Sequence, residues 1–360
     1  MKFMEYISFY SVYLGNFYQR FPHLYNAPYR AQMDGLLSDG FYGGHMFASV
    51  MGPYGYEADF AVVDCYTSQC IWALENEFVA DRTQLMEIAC KQIDKMKPEV
   101  LFLADPCAFD PKILSNCIWK PKLVIAWRAA SIPDNADWSA IDLMISSLEG
   151  CRDKALKLGA RAVEYFKPGF PNFVAEVVKD EQKKWDVVFA GQVSICHTER
   201  AEFLNQLSAM PEFYSREKSL RCFLFNPTFV PLSVADCHIQ PAVWGMDMFR
   251  TLKQARIVVN SHIDMALGQS QNMRVYEATG IGSFLITEQS DSLREMFEPG
   301  VEIETYNSQG ELEEKIRYYL EHPEEREAIA KRGQERCLRD HSLEVRAKEL
   351  DRLIKLYMPS

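Results

Sequence analysis

The stretch Asn272-Met-Arg-Val-Tyr-Glu-Ala-Thr-Gly-Ile-Gly-Ser-Phe-Leu-Ile-Thr-Glu288 decides the fold, because it reads as a helix that runs directly into a buried strand. Asn272 to Thr279 has helical character, Gly280 and Gly282 supply the stop, and the apolar run Ser283 to Thr287 is strand-sized. Glu277 then lies near the C-terminal end of the helix. The dipole there is negative, so a carboxylate gains nothing from it, and Glu277 reads as a group placed to meet hydroxyl donors. Its competing reading is an ion pair with Arg274, three residues earlier, worth a few tenths of a kcal/mol.

Outward from this stretch, short apolar runs alternate with amphipathic windows, the pattern of parallel sheets covered by helices on both faces. In the first half the strands are expected at Glu5 to Tyr10, Ala58 to Val63, Val100 to Ala104, Lys122 to Trp127, Leu143 to Ser146 and Ala162 to Tyr165. Helices are expected at Thr83 to Met96 and Glu149 to Leu158. The alternation restarts at Trp185 to Ala190 and continues through Ser219 to Phe225, Ala255 to Asn260, Ser283 to Thr287 and Val301 to Tyr306. Between the two series, Lys167-Pro-Gly-Phe-Pro-Asn172 and the charged run Lys179 to Lys184 break the periodicity and mark a linker. After Gly310 the chain reads as helix: Glu311 to Glu321, Pro323 to Asp340 and Ser342 to Leu356. The region from Phe9 to Tyr56, dense in Tyr, Phe, Gly and Pro, reads either as ligand-binding loops at strand ends or as a helix-poor capping segment.

Composition bounds the function classes. With 360 residues and 48% hydrophobic content, the chain can bury two cores. The 39 basic and 50 acidic residues leave a net charge of −11, which repels phosphate backbones and argues against nucleic acid as a partner. Contact with a membrane periphery would need a local patch. Ten cysteines lie scattered without a C-x-x-C or framework spacing, which reads as reduced thiols in a cytoplasmic protein and not as a zinc site. No apolar run exceeds strand length, so no transmembrane segment or signal peptide is expected.

The opening stretch, with Asp291-Ser-Leu-Arg-Glu-Met-Phe-Glu-Pro-Gly300 and the helical tail, resembles the C-terminal half of GT-B glycosyltransferases, closest to the CgeB-like, spore-maturation branch. The positions that carry the resemblance are Asn272, Arg274, Glu277, Ala278, Thr287, Glu288, Leu293, Phe297, Pro299, Gly300, Glu311 and Leu312. It covers the last third closely, 120 to 260 loosely, and the first hundred residues hardly at all. What it implies is an α/β GT-B fold of two Rossmann-like domains facing each other across a cleft. Residues 1–170 would form the acceptor domain and 171–341 the nucleotide-sugar donor domain. The last helix, within 342–360, would cross back to the first.

A nucleotide-sugar transferase needs a phosphate cradle, a ribose and base pocket, and a way to stabilise charge building on the sugar. Gly191, ending the first strand of the second domain, and Arg200, in the helix after it, are assigned the cradle; they can equally be a turn glycine and a surface charge. Glu277 can accept from both ribose hydroxyls, and Arg274 can bind phosphate. Asn272 opens the same helix. Related retaining enzymes place a second acid eight positions before the glutamate; here Gln269 stands there, which leaves donor sugar and stereochemistry open. His262, after the strand-like run Ile257-Val-Val, either donates to the diphosphate or is a buried histidine satisfied by backbone. Phe225 and Asn226 can stack on and bond to the base, and Phe225 can also be core.

In the first domain, His45 and Asp105 are the candidate general bases, with Trp127 and Arg128 lining the acceptor side; Asp105-Pro106 is also a good turn initiator. Gly280-Ile-Gly282 is not a dinucleotide fingerprint, since it follows a helix and precedes a strand. The seven histidines show no H-E-x-x-H spacing, and metal-independent chemistry with no cofactor beyond the donor is expected. The expected function is transfer of a sugar from a nucleotide-diphosphate sugar to a glycan, lipid-linked or protein acceptor. A non-catalytic binding protein and a nucleotide-sugar epimerase are the alternatives.

Overall fold

In the computed structural model, which describes residues 1–78, 84–193, 198–213, 219–225, 238–261 and 272–359, the first series of apolar runs forms a six-stranded sheet. Its strands are β1 (Lys2–Ile7), β2 (Glu57–Val62), β3 (Val100–Leu103), β4 (Leu123–Trp127), β5 (Leu143–Ser146) and β6 (Ala162–Tyr165). All pair in parallel, in the order β2-β1-β3-β4-β5-β6. Every residue of β3 and β4 is buried, as expected of strands covered on both faces. On one face Tyr6, Leu101, Leu103, Val124 and Met144 pack with Ile93 and Trp138; on the other, Phe102 meets Phe3 and Phe47.

The helices that accompany this sheet are α1 (Ser11–Arg20), α2 (Tyr29–Asp39), α3 (Tyr66–Glu75), α4 (Leu85–Met96) and α5 (Glu149–Lys157). The first two correct the helix-poor reading of Phe9 to Tyr56. Their aromatics are core: Tyr13 and Phe17 are fully buried, and Phe41 stacks on Tyr13 at 3.8 Å. The first strand also begins and ends three residues earlier than expected, since Ser8 already turns towards α1.

The second sheet contains β7 (Trp185–Gln192), β8 (Leu220–Phe225), β9 (Ile239–Pro241), β10 (Ala255–Asn260), β11 (Leu285–Glu288) and β12 (Glu304–Tyr306), again parallel, in the order β12-β11-β10-β7-β8-β9. It is covered by α6 (Asn172–Val178), α7 (Thr198–Ser208), α8 (Gly245–Lys253), α9 (Met273–Gly280), α10 (Gln309–Glu321) and α11 (Pro323–Asp340). The strand expected from Val301 starts at Glu304, because Gly300 at φ +78° turns the chain and Pro299 bridges back to Ile303. The short β9, which carries a proline, had no counterpart in the sequence reading.

The two glycines of the opening stretch do different jobs. Gly282 sits at φ +69°, and its N–H and that of Ser283 donate to the carbonyls of Thr279 and Ala278, closing α9 with a Schellman motif. Gly280 lies inside the helix against the ring of Phe170, where a β-carbon has no room.

Two units divide the chain: Met1–Gly169 with Leu343–Ser360, and Phe170–Ser342. The final helix, α12 (Leu343–Tyr357), belongs to the first unit. It buries Leu343, Ala347, Leu350 and Ile354, spaced for one helical face, while Asp351 accepts from the Tyr56 hydroxyl at 3.0 Å and Tyr357 donates to Glu164 at 2.8 Å. Among the described residues no helix is long and apolar enough to cross a membrane.

Candidate active site at the carboxyl edge of the second sheet

The chain leaves β7 to build β8 and β9 on one side, then returns to lay β10 on the other, so the carboxyl ends of β7 and β10 flank a topological switch point. Open parallel sheets bind ligands at such points. Arg200, expected either in the cradle or on the surface, is buried there. Its Nη1 donates to the Gln192 carbonyl at 2.8 Å and its Nη2 to the Ser261 carbonyl at 2.9 Å, tying the two strand ends together. Gly191 is a strand residue and not a turn; a β-carbon on it would press on the Phe189 ring, 3.0 Å away, beneath the Arg200 guanidinium.

Arg274 and Glu277 reach the same edge from α9. The Arg274 Nη1 lies 2.7 Å from the Glu277 Oε2, and its Nη2 donates to the Ala190 carbonyl at 3.1 Å, beside Gly191. The ion pair expected as the competing reading is therefore present. It is also only part of what Arg274 does, since it reaches β7 and its Nε is buried without a partner. Both side chains keep about a sixth of their surface exposed, 14% and 16%, so solvent and solutes reach the pair.

A polar chain that the sequence reading did not assemble closes the floor. The Asn272 side-chain amide donates to the Asn260 carbonyl oxygen at 3.2 Å, and Asn260 donates to the Thr287 hydroxyl at 2.9 Å. The Tyr306 hydroxyl donates to the Asn260 backbone carbonyl at 3.2 Å. Burial, reinforced by the Glu288 charge, raises the Tyr306 phenol and keeps it a donor. For two of these residues the signal lay in the sequence: Asn260 and Thr287 each close an apolar run with a hydrogen-bonding side chain.

Phe225, at the end of β8, is half-buried and meets Trp244 edge to face at 5.0 Å. Trp244 was missed because it lies in an irregular segment, just before Gly245 at φ +52° starts α8. Asn226, His262 and Gln269 lie outside the described residues.

The first-domain candidates stand at the carboxyl edge of the other sheet. His45 is buried beside Trp127, with ring centroids 5.0 Å apart, and burial lowers its pKa to about 4, so it is neutral and weakly basic at pH 7. Asp105 accepts from the Cys107 N–H at 2.9 Å and from Arg128 Nη1 at 2.8 Å, so it initiates a turn and also forms an ion pair. Among the described residues no three His, Cys, Asp or Glu side chains lie close enough to hold a metal ion.

Residues 177–352 match the family described as Glycosyl transferase-like. The matched segment, just under half of the chain, is similar to that family. It contains the switch point, Arg200, Arg274 and Glu277. No curated protein matches the chain by sequence. Among solved structures, a glycosyltransferase from Rickettsia africae is 9% identical, with 100% of this chain and 99% of that one covered and a TM-score of 0.59. Anabaena HepE in complex with UDP-glucose is 10% identical, with coverages of 99% and 100% and a TM-score of 0.58. S. aureus TarM with fondaparinux, α-GlcNAc-glycerol and UDP is 11% identical, with coverages of 76% and 59% and a TM-score of 0.52. Likenesses this remote establish the fold: two parallel six-stranded sheets of the GT-B type, one of them carrying the glycosyl transferase-like segment.

Proposed function

We propose that the protein is a glycosyltransferase that takes a sugar from a nucleoside-diphosphate sugar held at the carboxyl edge of β7 and β10. The observation that carries the reading is the solvent-reachable Arg274–Glu277 pair beside Gly191, inside the glycosyl transferase-like segment. Glu277 accepts from the ribose hydroxyls, Arg274 faces the diphosphate, and Trp244 with Phe225 offers aromatic surface to the base. Arg200 braces the two strand ends that present these groups, a positioning role that replaces direct contact with phosphate, because its guanidinium is committed to backbone carbonyls. Charge on the departing diphosphate is then met by fixed dipoles and Arg274, without a metal.

The first unit takes the acceptor. His45, neutral and buried, is poorly suited to act as a general base at pH 7, and Asp105 serves its turn and Arg128 first. A membership in the CgeB-like branch and a cytoplasmic location complete the proposal. The experiment is a thermal-shift panel of UDP, GDP, CDP, dTDP and ADP, followed by turnover with the matching donor. UDP leads the panel because the HepE and TarM structures hold UDP-glucose and UDP. Stabilisation by one nucleotide, with nucleoside diphosphate released only when an acceptor is added, supports transfer. Donor consumption without acceptor points to an epimerase, and binding without turnover to a non-catalytic protein.

A further inference from the structure

The carboxyl edge of the first sheet has its own switch point, between β1 and β3, and its chemistry differs from that of the second. Tyr10, just after β1, is 46% exposed, and Tyr42 is 39% exposed. Tyr42 holds the left-handed conformation at φ +58°, a strained position for a bulky side chain. Their rings lie 6.4 Å apart, and behind them Phe41 stacks on the buried Tyr13, so the two phenols stand on a rigid aromatic wall.

Two carboxylates accompany them. Asp64, after β2, accepts from the Ser8 hydroxyl and from the Phe9 N–H at 3.1 Å, and Asp105 follows β3. A carboxylate offers about four lone-pair directions, so each retains acceptor capacity. Val62 pairs with Ile7 and Leu103 with Tyr6, so β2 and β3 flank β1, and Asp64 and Asp105, each two residues past those pairs, stand on either side of the strand end that leads to Tyr10. The nearby cation, Arg128, is already engaged by Asp105 and, through Nε and Nη2, by the Ser131 carbonyl.

Aromatic rings with carboxylate acceptors and a committed cation suit a sugar face, whose C–H groups pack on rings and whose hydroxyls donate. They do not suit a phosphate, which needs available cations. We propose that this edge binds a neutral, hydroxyl-rich glycan, with Tyr10 and Tyr42 against a sugar face and Asp64 and Asp105 accepting from its hydroxyls. The naming of that glycan as the acceptor rests on the glycosyltransferase reading; the binding site does not.

The test uses the full chain and two sets of probes: maltotriose, chitotriose and xylotriose, and a polyprenyl phosphate in phosphatidylcholine vesicles. Binding is read by titration calorimetry and by saturation transfer from the tyrosine rings. At least one trisaccharide should bind. Tyr10→Ala, and Tyr42→Gly, which keeps the left-handed backbone, should each weaken it about tenfold, whereas Tyr10→Phe retains it. Thermal midpoints of the variants confirm folding, and the saturation-transfer pattern of the wild type gives a reading that needs no variant. The proposal is overturned if no trisaccharide binds at millimolar concentration, if binding ignores both alanine and glycine changes, or if only the polyprenyl phosphate vesicles bind. Failure of every nucleotide to stabilise the wild type, with trisaccharide binding intact, would instead remove the glycosyltransferase reading and leave the site standing.

Discussion

Replacing Glu5 by glutamine should remove a pH dependence from the first unit's stability and so reverse the order of stability of the two proteins between acid and alkaline pH. Glu5 lies in the middle of β1, fully buried, with its Oε2 accepting from the Ala48 N–H at 2.8 Å and its Oε1 without a partner. Burial raises its pKa from the ordinary 4.5 to about 8, against the lowering effect of the Ala48 and Phe47 N–H groups. A raised carboxyl binds its proton more tightly in the folded state. Its contribution is therefore complete below pH 4.5, declines as the unfolded chain alone gives up the proton, and is gone above pH 8. At about 1.4 kcal/mol per pH unit, the wild type loses about 5 kcal/mol across that window from this group alone. Glutamine cannot ionise. It keeps an acceptor for Ala48 and adds one unmatched N–H, a pH-independent cost of about 1–2 kcal/mol. The variant should thus be the less stable protein at pH 4.5 and the more stable one at pH 8, with the crossing at roughly pH 5.5. Urea unfolding of both proteins from pH 4.5 to 9, followed by tryptophan fluorescence, checks this, since all other titrations cancel in the difference. Parallel stability curves would refute the argument.

Other changes separate binding from bracing. Glu277→Ala, which would remove the ribose contact proposed above, should weaken nucleotide affinity about a hundredfold in calorimetry, while the unfolding midpoint moves little. Arg200→Ala should instead cost about 2–4 kcal/mol of second-unit stability in urea unfolding, because the Gln192 and Ser261 carbonyls lose their donor. Trp244→Leu should lower affinity for the preferred nucleotide about tenfold, and Trp244→Phe should restore most of it. Gly333→Ala forces a β-carbon onto the Glu302 carbonyl and should destabilise by about 3 kcal/mol, visible as a lower thermal midpoint.

The parts of the fold that the sequence made legible are those governed by local pattern. The strands Leu143–Ser146, Ala162–Tyr165 and Ala255–Asn260 have the bounds their apolar runs implied, as does the helix Pro323–Asp340. The first two helices were illegible because aromatic residues on several sides blur the 3.6-residue period, and three-residue β9 is too short to show a pattern. At the site, the Arg274–Glu277 spacing could be read directly, being three residues along one helix. The role of Arg200 could not, because one of its carbonyl partners lies 61 residues away and composition does not tell a buried guanidinium from an exposed one. Trp244 and Phe225 meet only because β8 and the start of α8 end at one edge, which is a property of sheet order and not of local sequence.

Because α12 completes the first unit, that unit is written in two pieces separated by the whole of the second. On the ribosome, β1 through β6 emerge long before the helix that buries Leu350 and satisfies the Tyr56 hydroxyl. The amino-terminal half must therefore wait, with an apolar face uncovered, while Phe170–Ser342 is synthesised and free to fold as an uninterrupted segment. A stop codon after Ser342 should leave a folded second unit attached to a chaperone-dependent first one. A fragment of 170–342 expressed alone should need no such help.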